Sequence, residues 1–137
     1  MSMLKLLPSE GGCLCRAIRY RVEGTVEDSA YCHCRTCQRQ SGAPVVAWFA
    51  VRSQQFKYLA GNPKQFRASE RATREFCGNC GTYLLFREDD PNATLGINTA
   101  TLDDPTLVPP QFHIWTQSQI NWFATADHFT QFAQGKN

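Results

Sequence analysis

AIRYRVEG, residues 17–24, decides the fold: Ile18, Tyr20 and Val22 fall on one face, and Arg19, Arg21 and Glu23 on the other. Alternation with a period of two marks a strand with one buried and one wet face. Outward from it, the chain repeats that pattern. PVVAWFAV (44–51) is a continuous apolar run rich in Val and aromatics, which predicts a central strand. FKYLAGNPKQF (56–66) sets a turn at Gly61-Asn62-Pro63 between two short strand-like pieces. ATREFC (72–77) and TYLLFR (82–87) flank the Cys77–Cys80 turn, and TLGINTATL (94–102) follows the polar break EDDPN (88–92). FHIWT (112–116) alternates Phe112, Ile114 and Thr116 against His113 and Trp115. Only RTCQRQSG (35–42) and HFTQFAQ (128–134) read as short helices, with Gly42 giving the first its turn. Many short strands with regular turn signals predict a mostly antiparallel all-β fold, and 137 residues suit a single domain, 1–137, with one core.

Composition narrows the function classes. Hydrophobic residues make up 42% and charged residues 19%, which excludes a disordered chain. A net charge of +2 gives no argument for nucleic acid or a membrane surface as partner. The longest apolar run, Val45 to Val51, is far short of a membrane span. Lys5, Pro8 and Glu10 interrupt the first twelve residues, so no signal-peptide core forms there and a cytoplasmic location is expected.

In that reducing setting, clustered cysteines point to metal or catalysis rather than disulfides. All seven fall into three groups: Cys13-x-Cys15, Cys32-x-Cys34-x2-Cys37 and Cys77-x2-Cys80. Zinc takes a tetrahedron of S and N ligands, and a C-x2-C turn delivers two sulfurs to one ion. Two partitions are open. A ribbon site joins Cys34 and Cys37 to Cys77 and Cys80 and leaves three thiols over. Alternatively Cys13, Cys15, Cys77 and Cys80 close one site while Cys32, Cys34 and Cys37 form an open one. Spacing leans to the second, because the gap from Cys37 to Cys77 is long for a ribbon and all seven thiols are used.

Four ordered motifs carry a resemblance: GGCLCRAIRY, CHCRTCQRQSGAPVVAWFAV, FCGNCGTYLLFR and DDPTLVPPQFHIWTQSQINWF. From about Gly11 to Phe123 the chain resembles the glutathione-dependent formaldehyde-activating enzyme family, which also includes centromere protein V. The resemblance implies a small zinc-bearing all-β domain, described as a β-tent or Mss4-like. It implies two zinc ions per chain: a structural one at Cys13, Cys15, Cys77 and Cys80, and a catalytic one at Cys32, Cys34 and Cys37. It therefore selects the second partition. One departure is Arg16, where family members commonly carry Gly after the first C-x-C.

Three thiolates around Zn2+ leave a first shell of net charge −1, a weaker Lewis acid than a three-histidine site. Such a site is better suited to hold a thiol, whose pKa of about 8.5 leaves it mostly protonated at neutral pH. The implied activity is a carbon–sulfur lyase that forms or cleaves S-hydroxymethylglutathione from glutathione and formaldehyde. The alternative is a non-catalytic zinc-stabilised module that binds nucleic acid or protein. His33 lies between two ligands and is expected to point away from them; His113 and Trp115 are expected to share a strand face, His113 as a core histidine. Trp48, Phe49, Trp115, Trp122 and Phe123 read as core. The segment 52–74 carries Arg52, Lys57, Lys64, Arg67, Arg71 and Arg74 against Glu70, which reads first as a solvated face and second as a seat for carboxylates or phosphates.

Overall fold

The computed structural model describes residues 4–136. Strands β1 (Leu4–Gly12), β2 (Arg19–Val26) and β5 (Phe56–Ala60) form a three-stranded antiparallel sheet in the order β1-β2-β5. Seven more strands form the larger sheet: β3 (Asp28–Cys32), β4 (Val46–Arg52), β6 (Lys64–Arg67), β7 (Ala72–Phe76), β8 (Tyr83–Glu88), β9 (Thr94–Asn98) and β10 (Phe112–Ile114). Their order is β10-β3-β4-β9-β8-β7-β6, antiparallel throughout except for the β10–β3 pair. Helix α1 (Arg35–Ser41) is the one α-helix among the described residues. The fold is all-β, as the alternation predicts.

Burial follows the pattern of AIRYRVEG. Tyr20 and Val22 are fully buried, whereas Glu23 is exposed. They meet Phe49 and Val51 of β4, Leu85 of β8 and Ile97 of β9 in the main core between the sheets. Full burial of each such side chain contributes about 1.5–3 kcal/mol. Cys13 and Cys77 belong to this core. A second cluster gathers Ala30, Cys32, Cys37, Val46, Phe112 and Ile114, so each group of clustered sulfurs has its own apolar setting.

Several expectations need correction. HFTQFAQ is not helical: its backbone runs along β10 as a strap. His113 donates its N–H to the Thr130 carbonyl at 2.8 Å, Phe132 to His113 at 2.9 Å and Trp115 to Gln134 at 2.8 Å. Those bonds satisfy the peptide groups that a helix would otherwise pair internally. The turn at Gly61, with φ 78°, joins two strands as expected, but they belong to different sheets, so it is a crossover and not a hairpin. Strand β10 stops at Ile114 because Trp115 adopts φ 59°, so His113 and Trp115 do not share a face. Strands β1 and β3 have no counterpart in the sequence reading. Trp122 is 71% exposed and is not core.

Candidate functional site

Two tight turns bring four sulfurs together. Cys77 and Cys80 occupy the turn between β7 and β8, closed by Gly81 N–H to the Cys77 carbonyl at 2.8 Å with Gly81 at φ 82°. Cys13 and Cys15 follow β1, in a turn where Arg16 donates its N–H to the Cys13 carbonyl at 3.1 Å. The sulfurs of Cys13, Cys15, Cys77 and Cys80 all lie within 4.8 Å of one another. Cys13 and Cys15 are 3.6 Å apart and Cys15 and Cys77 3.8 Å. A tetrahedral ion with metal–sulfur bonds of ~2.3 Å has edges of ~3.8 Å, so the cage fits one.

The surroundings fit thiolates. Ile18 N–H donates to Cys13 Sγ at 3.2 Å, Asn79 N–H to Cys77 Sγ at 3.4 Å, and Asn79 Nδ2 to Cys15 Sγ at 3.2 Å. The Thr82 hydroxyl lies 3.2 Å from Cys80 Sγ and, with the Thr82 backbone, lowers that thiol to about 5. Donors crowded around sulfur stabilise its charged form.

Cys32, Cys34 and Cys37 also have their sulfurs within 4.8 Å of one another. Cys32 ends β3, Cys34 is the N-cap of α1, and Cys37 sits in the first turn, where its N–H donates to Cys34 Sγ at 3.3 Å. Gly42 closes the helix at φ 72°, donating its N–H to the Gln38 carbonyl at 2.8 Å, as the Ser41-Gly42 pair predicts. Hydrogen bonding from Cys32 and then Cys37 pushes the Cys34 thiol far down, and the same contact with Cys34 pushes Cys32 up. An all-sulfur donor set selects soft metals in both groups.

The trio lines a cavity of about 260 Å³, walled by Trp48, Ile114, Trp115 and Phe86, with Arg74, Tyr83, Glu88 and Thr94 as its polar side chains. Trp48 and Trp115, expected as core, are cavity walls. Arg74 is 6% exposed, and both its terminal nitrogens donate to Cys37 Sγ at 3.6 Å. Nη1 also donates to the Tyr83 hydroxyl at 3.1 Å. The guanidinium packs 5.3 Å from the Tyr83 and Phe86 ring centres. Arg74 thus departs from the solvated basic face to which the sequence assigned it. Its neighbours in that segment behave as expected: Arg52 pairs with Glu27 and Arg67 with Asp89 at the surface.

His33 points away from the sulfurs. It is fully buried, with Nε2 2.8 Å from His113 Nδ1, and His113 Nε2 lies 3.0 Å from Asp127. Burial, followed by the neighbouring His113, holds its pKa down. His113 is the buried histidine the sequence reading favoured, tied to the strap through Asp127. No sequence signal marks Asp127, because its role depends on where the strap lands.

A protein from Schizosaccharomyces pombe named as an uncharacterized lyase is 34% identical over 77 residues, which is 56% of each chain. The chain thus spans about half the length of that curated relative. A crystal structure of a Rhodobacter sphaeroides protein, solved as a structural-genomics target, superposes with a TM-score of 0.57 at 20% identity, covering 90% of this chain and 98% of the other; this likeness concerns the fold. No helix among the described residues is long and apolar enough to cross a membrane. Residues 8–118 match the family described as glutathione-dependent formaldehyde-activating enzyme, a span containing all seven cysteines and both sulfur clusters, and the chain belongs to that family.

Proposed function

We propose that the protein is a zinc-dependent carbon–sulfur lyase that joins a small thiol, such as glutathione, to a small aldehyde, such as formaldehyde, and cleaves the adduct. In this reading Cys13, Cys15, Cys77 and Cys80 hold a structural zinc, and Cys32, Cys34 and Cys37 hold a second one beside the cavity. The carrying observation is that trio: three sulfurs converge with no fourth protein ligand grouped with them among the described residues, and they line an open recess. When bound there, zinc supplies a position for a substrate sulfur and removes its proton.

The chain's own residues supply the rest. Arg74 offsets the negative charge of the sulfur set and fixes Cys37 from the β7 side. Trp48, Trp115, Ile114 and Phe86 give the recess an apolar wall against which the small aldehyde packs. Tyr83 accepts a hydrogen bond from Arg74 and keeps its own O–H to donate. Burial raises its pKa, so the phenol keeps its proton at neutral pH. In the forward direction the thiolate sulfur attacks the carbonyl carbon, the C–S bond forms, and the carbonyl π pair moves to oxygen, which takes from solvent the proton that the thiol released to it. In this reading Tyr83 donates its O–H to that oxygen. At 260 Å³ the recess admits the reacting ends rather than a whole tripeptide, since whole-ligand sites run to ~300–1,000 Å³.

The test is NMR exchange between free formaldehyde and S-hydroxymethylglutathione. The zinc-loaded protein should speed the exchange beyond the uncatalysed rate, and Cys37→Ser should remove the gain. Equal rates with and without protein would refute the lyase reading.

A further inference from the structure

Arg74 lines not only the sulfur cavity but also a wider groove of about 660 Å³. That groove carries Arg35, Arg39, Gln40, Phe66 and Phe76, and no Asp or Glu lines it. Arg35 and Arg39 stand four residues apart on α1, so one helix face presents both. Neither forms an ion pair among the described residues; Arg35 only donates to Gln38 Oε1 at 2.7 Å. The third guanidinium, Arg74, is 94% withdrawn from solvent (6% exposed), and its Nε has no hydrogen-bond partner. Arg74 already faces the sulfurs, so Arg35 and Arg39 are the two cations of this recess with no carboxylate beside them. The exposed Phe66 ring, 62% accessible, gives the groove an apolar flank beside its charges.

We propose that this groove is the subsite for the anionic tail of the thiol substrate, with Arg35 and Arg39 setting preference for thiols that bear carboxylates. The inference rests on the lyase reading for its sulfur end, and on the groove alone for its charged end. A guanidinium binds a carboxylate through two parallel N–H···O bonds, a geometry an ammonium does not offer. The two rings flank the tail's uncharged atoms. Arg74 borders both recesses, so the proposed tail subsite and the sulfur trio share one guanidinium.

The probes are S-methylglutathione, which keeps both carboxylates and has no free thiol, and its diethyl ester. Each is titrated calorimetrically into the zinc-loaded protein. The acid should bind wild type at least about tenfold more tightly than the ester, a usual size for one charged contact. Arg35→Gln and Arg39→Gln should each weaken the acid, and the double variant should close the gap between acid and ester while melting like wild type. Equal binding of the two probes by wild type, no binding of either, or a gap that survives in the double variant would each overturn the proposal. Turnover is not needed for this readout. Accelerated formaldehyde exchange without acid–ester discrimination would sink the groove and leave the lyase reading standing, and the reverse result would do the opposite.

Discussion

Both terminal nitrogens of Arg74 lie 3.6 Å from the sulfur of Cys37, joining strand β7 to helix α1 through a buried charge. A cation this deep needs an anion beside it. Glu75, the neighbouring carboxylate, is bound instead to Arg87 at 2.7 Å and to Tyr58 at 2.8 Å, leaving the sulfurs as Arg74's anionic partners. With a divalent metal, three thiolates carry a net charge of −1, which the guanidinium neutralises.

Arg74→Met should therefore weaken metal binding at the trio by about 10–100-fold, the usual effect of removing a group that supports a ligand. The four-cysteine site should stay filled. Metal release to a chromophoric chelator reads both sites, the trio emptying first and earlier in the variant. An unchanged release curve would remove Arg74 from the site.

Arg74 also shows where sequence reasoning stops. Residues 52–74 look like a solvated basic face, and Arg52 and Arg67 bear that out. Arg74 differs because β7 turns it towards α1, a long-range pairing that no local pattern announces. The strands of AIRYRVEG and PVVAWFAV were legible because alternation and apolar runs report burial directly. The cysteine groups were legible because ligand spacing is local. By contrast, DSAYC is too short and polar to read as β3, and its strand character comes from pairing with β4 and β10. HFTQFAQ has helical spacing, but β10 offers its peptide groups better partners.

The two sulfur groups should answer differently to substitution. Cys77 lies in the main core between the sheets, while Cys37 lies in the smaller cluster around the cavity. Metal binding at a structural site is also folding energy. Cys77→Ser should remove a large part of the ~5–15 kcal/mol typical of a domain and broaden or abolish the melting transition. Cys37→Ser should stay folded and drop from two zinc ions per chain to one. Metal analysis beside thermal melts decides it: similar unfolding of both variants contradicts the division.

Arg16 holds φ 67°, in the left-handed region that costs a residue with a Cβ about 1–2 kcal/mol. The turn geometry supplies a reason for the Gly that the family resemblance leads one to expect there. Arg16→Gly relieves the strain but adds freedom to the unfolded chain, a loss of about 0.4–1 kcal/mol. The net expectation is a gain of about 0.5–1 kcal/mol, raising Tm by about 2–5 °C. Arg16→Ala should give no such gain, because its Cβ meets the same obstacle.

Tyr20 predicts a response to alkali. Its ring is fully buried, its hydroxyl bonds Thr101 Oγ1 at 2.8 Å, and burial raises its pKa above the ordinary phenol value. The unfolded phenol ionises near ~10 while the folded one stays neutral. This stabilisation is complete below pH ~10 and is lost as pH climbs from there towards the folded value, at about 1.4 kcal/mol per pH unit. Tyr20→Phe should lose about 1 kcal/mol at neutral pH with the hydrogen bond. It should also show a shallower fall in Tm above pH ~10 than wild type; parallel curves would show that Tyr20 does not ionise on unfolding.

Tyr83 tests the chemistry itself. Tyr83 lines the sulfur cavity, and its hydroxyl accepts from Arg74 and retains one proton to give. In the proposed reaction the aldehyde oxygen gains negative charge as the C–S bond forms, so a donor there acts on the transition state more than on bound thiol. Losing one such donor costs about 10²–10³ in rate at a tight oxyanion site, and about 10–100-fold is expected where the recess is open on one side. Tyr83→Phe should lower kcat by that factor with little change in KM for glutathione and no change in zinc content. A matched fall in zinc content would instead make Tyr83 a support for Arg74. A rise in KM alone would place its hydroxyl on the thiol rather than on the aldehyde oxygen.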